Sequence, residues 1–283
     1  MLRFRIKNIL VPFDFTNESL NSLKVADKFA RDFNAKIHLL NIINPKTFNC
    51  NWVSKINIKP FNDVDIYAEK SYKVIERYLQ RTFINPELYQ YSVEFGEDFS
   101  TMVNHIKSSN YDLIILLDTI NNYLSHIFSM FNPLSVMDVT HVPVIAVNKY
   151  YRVVEFRNII VPIRNMDNWY DKLPFMISLA RQSGGKIHAV GIDESQKTLN
   201  TLFYQVFEQA IAILEHENVL STVAKFRGQN CVNYLKSFSE NQKGDLIAVT
   251  PPLISKSIKS ILYPPLYSRL ILDSPAPVFG VKL

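Results

Sequence analysis

Hydrophobic residues of this chain fall in short runs that alternate with stretches of helical spacing. The run from Ile6 to Phe13 is largely apolar with β-branched residues, and Ile37 to Ile43 is a second such run. Continuous rather than alternating hydrophobicity predicts strands covered on both faces, as in a parallel sheet. Between them, apolar residues recur every three or four positions from Leu20 to Phe33, which predicts an amphipathic helix. A strand, a helix and a strand in this order predict a right-handed crossover unit.

The same alternation continues along the chain. After a long polar loop, Asn44 to Pro60, the pattern predicts a helix near 63–82, a strand at 91–95, a helix at 98–108, a strand at 111–117, a helical region interrupted by Pro133 that ends near Thr140, and a strand at 142–148. The second half predicts strands near 157–163, 186–192, 219–226, 245–250 and 277–282, with helices near 173–183, 196–217, 229–241 and before the last strand. This alternation predicts an α/β fold with an open, parallel, doubly wound sheet.

Four sequence blocks of the first half return in the second half in the same order. Lys7–Asp14 returns as Arg157–Arg164, Ala35–Ile42 as Gly185–Ile192, Asp112–Ile114 as Asp245–Ile247, and Val142–Val147 as Ala276–Val281. Ordered matches of this kind indicate a duplicated domain. We therefore expect two domains, residues 1–150 (the first copy) and 151–283 (the second copy). Their join near Tyr150 and Tyr151 has no Gly/Ser linker, which favours domains packed together.

The repeated blocks resemble the universal stress protein family in a tandem arrangement. Asn8–Asp14 is similar to the first strand of that family, Ala35–Leu40 to its second, Tyr111–Ile114 to its fourth and Val142–Ile145 to its fifth. The resemblance implies Rossmann-like domains of the adenine nucleotide alpha hydrolase-like type, each with five strands in the order 3-2-1-4-5. It also implies that the domains pair through their fifth strands, here as an intramolecular pseudo-dimer.

This implied pairing has a physical reason. The fifth strands, Val142–Asn148 and Ala276–Lys282, would each be an exposed sheet edge if they did not pair. We therefore expect them to lie side by side. A further homodimer of the whole chain is compatible with the sequence.

The ATP-binding members of that family have a glycine-rich segment after the fourth strand. Phosphates need several backbone N–H groups close together, and side chains at those positions would block the approach. This chain has seven glycines, and none lies between Leu117 and Val142 or between Thr250 and Pro275. Prolines and bulky residues occupy those stretches, and proline removes a backbone donor. We therefore expect neither copy to bind ATP in the manner of the family, and we expect no cofactor.

Asp14 is the residue that matches a ligand-facing position of the family, where an aspartate follows the first strand and faces the nucleoside. Its counterpart in the second copy is Arg164, so the charge there is reversed. A turn-capping carboxylate is the simpler interpretation of Asp14. Asp118 adds a second negative charge at the same sheet edge and would repel a triphosphate. A residual cleft for an uncharged or cationic ligand would use these candidates: Asp14, Asn41, Asp118 and Thr119.

No catalytic or metal site is indicated by the remaining motifs. His38 and His188 are repeat equivalents in the second strand, which favours a structural role. Glu215-His216-Glu217 is predicted to be a solvated helix end, since no second cluster at ligand spacing accompanies it. The chain has no Gly-x-Ser-x-Gly elbow, no P-loop and no Gly-x-Gly-x-x-Gly after a strand. Gly184-Gly185 is interpreted as a helix C-cap. We expect that the protein is not an enzyme.

The composition of the chain bears on its cellular location and on the classes of partner it can bind. With 47% hydrophobic and 20% charged residues the chain is typical of a globular protein. The net charge of +5 comes from scattered residues, so no nucleic-acid partner is indicated. Cys50 and Cys231 lie at non-equivalent positions and fit reduced thiols in the cytoplasm. No apolar stretch reaches the roughly 20 residues that cross a bilayer, and Pro12 and Asp14 interrupt the N-terminal run, which argues against a signal peptide.

Three hypotheses for function follow. The first is a stress-associated scaffold or regulator that acts through an unknown protein partner. Aromatic residues around 61–91 and 199–207 are candidates for that contact or for the core. The second is a small-molecule sensor with a residual cleft near Asp14. The third is an enzyme of the wider adenine-nucleotide-binding α/β group, which requires a phosphate loop or an HxGH-type motif, and neither is present.

Overall fold

The computed structural model describes residues 4–14, 19–44, 64–82, 86–118, 133–148, 151, 155–164, 168–195, 200–250 and 266–282. In the first copy these form β1 (Asn8–Pro12), α1 (Ser19–Phe33), β2 (Lys36–Ile43), α2 (Val64–Thr82), a 3-10 turn (Pro86–Leu88), β3 (Tyr89–Phe95), α3 (Asp98–Lys107), β4 (Leu113–Asp118), α4 (Pro133–Thr140) and β5 (Val144–Asn148). In the second copy they form β6 (Asn158–Ile163), α5 (Leu173–Ser183), β7 (Lys186–Asp193), α6 (Thr201–His216), β8 (Ser221–Arg227), α7 (Cys231–Asn241), β9 (Leu246–Val249), α8 (Leu266–Asp273) and β10 (Val278–Gly280).

The order of these elements agrees with the order predicted from the hydrophobic pattern. The bounds differ at several ends: β3 begins at Tyr89 rather than Tyr91, and α6 begins at Thr201 rather than at 196. The predicted loop Asn44 to Pro60, apart from Asn44 itself, lies outside the described residues, and so does the part of the predicted helical region that precedes Pro133. The α/β fold class is confirmed.

Within the described residues the strands form one ten-stranded sheet with the order β3-β2-β1-β4-β5-β10-β9-β6-β7-β8. The first half has the predicted order 3-2-1-4-5, and the second half has the same order in reverse. Strand pairs inside each copy are parallel. The expected partners β5 and β10 are adjacent and antiparallel, with Val278 opposite Ala146 and Gly280 opposite Val144. Each fifth strand therefore has a neighbour on both sides.

Two repeated aspartates fix the start of the first strand in each copy. Asp112 precedes β4 and accepts hydrogen bonds from the backbone N–H groups of Lys7 and Asn8 at 2.8 and 3.0 Å. Asp245 precedes β9 and does the same for the residues that begin β6, at 2.9 and 2.8 Å. These bonds satisfy backbone donors that the sheet leaves unpaired at the strand start. They give a structural reason for the repeated Asp-Leu-Ile block.

The two copies share one layer of the hydrophobic core. Phe29 of α1 packs on Phe156 of the second copy with ring centroids 4.5 Å apart. Phe4 packs on Phe175 of α5 at 3.9 Å, and Phe175 packs on Phe279 of β10 at 4.6 Å. Four of these rings are buried in a single apolar cluster, and Phe4 is partly buried and packs against it. The copies are thus joined by side-chain packing as well as by strand pairing.

Helix ends follow the predicted chemistry in one case and depart from it in another. Gly184 ends α5 with φ 64° and a backbone N–H bonded to Ala180, which confirms the C-cap. The solvated helix end predicted for Glu215-His216-Glu217 is wrong for its last residue. The side chain of Glu217 is only 5% exposed and pairs with Arg181 at 2.8 Å, while His216 is exposed. The sequence did not indicate that Arg181 of α5 lies beside this helix end.

Among the described helices, none combines the length and the apolar character needed to span a membrane.

Candidate functional site

Three of the four predicted cleft residues have a described backbone at the carboxyl edge of the first copy. Strand order reverses between β1 and β4, which is where open α/β sheets bind ligands. Asp14 follows β1 and is exposed, and Asp118 ends β4. Asn41 of β2 donates from Nδ2 to the backbone carbonyl of Phe13 at 2.8 Å. The structure therefore places Asn41 against the residue before Asp14. Thr119 and the side chain of Asp118 lie outside the described part of the chain.

Asn41 has one unused polar atom at this edge. The residue is 3% exposed, and its Oδ1 accepts no hydrogen bond from any residue that the structure describes. A buried acceptor without a donor costs about 1–3 kcal/mol. An N–H or O–H donor of a small ligand would satisfy it. Sequence reasoning selected Asn41 by its position and gave no reason of this kind.

A second carboxylate lies at the same edge of the first copy. Asp98 begins α3, after β3, and Asn44 follows β2. Burial raises the pKa of Asp98, and the hydrogen bond from the Asn44 side chain partly opposes that rise. Together with Asp14, this edge presents acidic groups, and acidic groups repel a triphosphate.

The second copy has three different residues at the equivalent places: Arg164 after β6, Glu194 after β7 and Cys231 at the start of α7. Arg164 and Glu194 form an ion pair, and the Cys231 thiol donates to the other carboxylate oxygen of Glu194 at 3.0 Å. Burial, and next the hydrogen bond to Glu194, raise the pKa of the Cys231 thiol to about 12. The three side chains satisfy one another and keep the thiol protonated.

Two hydrogen bonds cross the carboxyl edge of the second copy. Lys172, just before α5, is fully buried, and its ammonium group donates to the carbonyl of Pro162 in β6 at 2.6 Å. The Thr250 hydroxyl, just after β9, donates to the carbonyl of Asn168 at 3.3 Å. The segment that holds Asn168 and Lys172 therefore reaches from the end of β6 to the end of β9. These two strands are the ones between which the strand order reverses.

A cluster that sequence reasoning missed lies in the first copy on the α3 side of the sheet. His38 was expected to be structural, which stays a prediction; both of its ring nitrogens bond to other side chains, Ser92 at 2.6 Å and Tyr111 at 2.5 Å. The Tyr111 hydroxyl also bonds His105, which pairs with Glu94. The members come from four parts of the chain, so no spacing in the sequence connects them. Among the described residues no group of His, Cys, Asp and Glu is suited to hold a metal ion.

Comparison with known proteins places the chain in a family. The model of the universal stress protein family matches residues 5–148, just over half of the chain. The chain therefore belongs to the universal stress protein family. A search of curated proteins finds no match.

Solved structures agree on the fold over both copies. A universal stress protein of Archaeoglobus fulgidus is 18% identical with a TM-score of 0.75, and the match covers 100% of this chain and 98% of that one. A functionally unknown protein of Pseudomonas aeruginosa is 12% identical with a TM-score of 0.63, over 98% of this chain and 92% of that one. At these identities the likeness concerns the fold alone.

Proposed function

We propose that this chain is a stress-response protein that acts as a non-catalytic scaffold or regulator through contacts with other proteins. Membership of the universal stress protein family supports the stress-response role. The proposal for the mode of action starts from what the crevices of the two copies offer to a nucleotide.

The observation on which the proposal depends is the pair of hydrogen bonds that cross the carboxyl edge of the second copy. The buried Lys172 donates to Pro162 and Thr250 donates to Asn168, beside the place between β6 and β9 where a ligand of this fold would bind, and this supports a crevice with little room for a nucleotide. The ion pair of Arg164 and Glu194 occupies the neighbouring edge. The glycine-free segments after β4 and β9 support the same conclusion for both copies, from the sequence alone.

Pairing of the fifth strands supports a second element of the proposal. The antiparallel contact of β5 with β10 supports an intramolecular pseudo-dimer of the two copies. Contacts with an unknown protein partner, or a homodimer, would then use other surfaces. The cytoplasmic location stays a prediction from cysteine usage.

The test is direct measurement of ATP binding by the full chain. We expect isothermal titration calorimetry to detect no saturable binding up to about 1 mM ATP, which corresponds to less than about 4 kcal/mol of binding free energy. A dissociation constant in the micromolar range would contradict the proposal. Native mass spectrometry of the purified protein then reports the subunit count and any co-purifying molecule.

A second candidate function is favoured by the unused acceptor of Asn41. Its Oδ1 atom, buried beside the end of β1, fits an uncharged ligand with an N–H donor in the first copy. In that case adenosine should raise the melting temperature of the protein while ATP should not. The Asn41→Ala variant should lose the adenosine effect. Absence of any adenosine shift in the unmodified chain would exclude this sensor function for adenosine.

A further inference from the structure

A continuous chain of hydrogen bonds links five polar side chains of the first copy. It runs from Ser92 to His38 at 2.6 Å, on to Tyr111 at 2.5 Å, to His105 at 2.7 Å and to Glu94 at 2.5 Å. The carboxylate of Glu94 can only accept, so Nδ1 of His105 donates to it. When the His105 ring is neutral, its Nε2 accepts from the Tyr111 hydroxyl. That hydroxyl accepts from Nδ1 of His38, whose Nε2 accepts from Ser92. In this arrangement each of the four hydrogen bonds between Ser92 and Glu94 has one donor and one acceptor.

The fold does not need this series of hydrogen bonds for packing, as the second copy demonstrates. Strand register makes Ala224 and Phe226 the equivalents of Ser92 and Glu94. Equal distance from the repeated aspartates makes Phe238 and Gly244 the equivalents of the His105 and Tyr111 positions. Phe226 and Phe238 both stack with Tyr234, at 4.4 and 5.8 Å. An apolar solution therefore exists for this face, and partly buried ionisable groups are costly by comparison.

A polar cavity of about 310 Å³ opens beside the chain at the amino ends of the strands, on the sheet edge opposite Asp14. Its walls include these residues: Asn8, Lys36, His38, Gln90, Asn110 and Tyr111. The ammonium group of Lys36 and the side-chain amides of Gln90 and Asn110 make no hydrogen bond or ion pair within the described chain. Three unengaged polar groups therefore surround the exposed end of the hydrogen-bonded chain.

The equivalent place in the second copy has a shorter set of hydrogen bonds. Both ring nitrogens of His188 bond to neighbouring side chains, Asn158 at 3.1 Å and Thr222 at 2.7 Å. Thr222 is the equivalent of Gln90 by strand register. The second copy keeps the lysine, as Lys186, but the partners of its histidine do not lead on to a second histidine and a carboxylate as Tyr111 does in the first copy. The second copy therefore serves as an internal comparison that has the lysine and the histidine but not the extended hydrogen-bonded cluster.

We propose that the cavity of the first copy binds a small hydroxylated carboxylate, with Lys36 against the carboxylate and His38 at the head of a hydrogen-bonded chain that takes up a proton on binding. The ammonium group of Lys36 is surrounded by uncharged amides and rings, and this arrangement suits a ligand with one negative charge. A polyphosphate would also face the carboxylates of Glu94 and of Asp112, which holds the Asn8 backbone. Amide groups of Gln90 and Asn110 can donate to and accept from hydroxyl groups.

Proton uptake follows from the charges that face His38. These are Lys36 on its own strand, Glu94 on β3, His105 on α3 and the hydroxyl of Tyr111 before β4. Burial, and next the field of His105, lower the pKa of His38 to about 4, so the imidazole of the free protein is neutral at neutral pH. A bound carboxylate raises that pKa again. Nε2 then takes a proton from solvent and donates to Ser92, while the bonds from Nδ1 through Tyr111 to Glu94 persist.

The test is titration of the full chain with two matched probes, D-gluconate and uncharged D-glucose. Histidine signals in NMR spectra report binding at His38 and His105. We expect saturable shifts with gluconate and none with glucose, and binding about fivefold tighter at about pH 5.5 than at about pH 7.5. Lys36→Gln should weaken gluconate binding about tenfold. Lys186→Gln, the same change in the second copy, should leave it unaltered.

The outcomes separate the parts of the proposal. Equal shifts with glucose, or no saturable shift with gluconate, would overturn the carboxylate site, and so would an unchanged affinity in Lys36→Gln. An affinity independent of pH would overturn the proton uptake. Glu94→Gln removes the charge at the far end of the chain and should reduce the pH dependence without removing binding. Circular dichroism of each variant establishes that it is folded.

Discussion

Truncation of Phe279 to alanine is expected to destabilise both copies together. Phe279 lies in β10, is fully buried, and packs on Phe175, which in turn packs on Phe4 of the first copy. Its strand pairs with β5 on one side and β9 on the other, with Phe279 opposite Ile145. The side chain therefore supports the strand contact between the copies and the core layer that they share.

The size of the effect follows from burial and from how little the site can collapse. Replacing a fully buried phenylalanine by alanine costs about 3–5 kcal/mol. Strands on both sides of β10 hold its backbone in place, so we expect about 4 kcal/mol. For a chain of this size that corresponds to a fall of roughly 10 °C in the melting temperature.

Hydrogen exchange followed by mass spectrometry is the decisive measurement, because it reports each copy separately. We expect peptides of β1 and β5 in the first copy to lose protection together with peptides of β6 and β7. Leu220→Ala is the control, since Leu220 is 64% exposed and should change stability by less than about 0.5 kcal/mol. The reasoning is refuted if the first-copy peptides keep their original exchange rates, or if Phe279→Ala costs less than about 1 kcal/mol.

Three further predictions concern single sites. Gly191→Asn introduces the residue that the first copy has at this place, Asn41. A Cβ at Gly191 would lie 2.9 Å from the rings of Phe203 and Phe207, so we expect the free energy of unfolding in denaturant titrations to fall by about 1–3 kcal/mol. An unchanged free energy of unfolding would contradict this overpacking. The pKa of His38 is lowered from 6.5 to about 4, so between these pH values the unfolded protein binds a proton that the native protein does not. The free energy of unfolding should therefore fall as pH falls from about 6.5 to about 4, and it should fall less steeply in His38→Gln. A free energy of unfolding that is independent of pH in the unmodified protein would refute this prediction. The pKa of the Cys231 thiol is raised to about 12 by burial and by its hydrogen bond to Glu194. In a Cys50→Ser background at about pH 8, iodoacetamide should therefore alkylate the native protein at least about 100-fold more slowly than the urea-unfolded protein. Equal alkylation rates would contradict this prediction.

The fold could be predicted because its determinants are repeated and local. Continuous apolar runs predicted strands covered on both faces, and the need to cover two sheet edges predicted the contact of β5 with β10. The start of β4 was placed at Tyr111, whereas the strand begins at Leu113. The difference has a cause: the side chain of Asp112 bonds to the backbone before β1, and the Tyr111 hydroxyl bonds to two histidines.

The polar chain of the first copy could not be predicted, because its members lie far apart in the sequence. Ser92 and Glu94 lie on β3 and His105 on α3, and no motif spacing joins them to His38. A position-by-position comparison of the copies contains the signal, since Phe226 and Phe238 replace Glu94 and His105. The predicted cleft stays a prediction: Asn41 contacts Phe13 beside Asp14, and in the second copy Lys172, which no sequence pattern selected, donates to Pro162 at the end of β6.

The contact of β5 with β10 also sets a length. Within the described residues β3 and β8 end the sheet, and nine steps between neighbouring strands at about 4.8 Å place them about 43 Å apart. Because one shared core stiffens the sheet, molecules attached to its two ends would be kept at a constant separation. The ten-stranded sheet is in this respect a spacer of defined span, and five of its strands alone would not provide it.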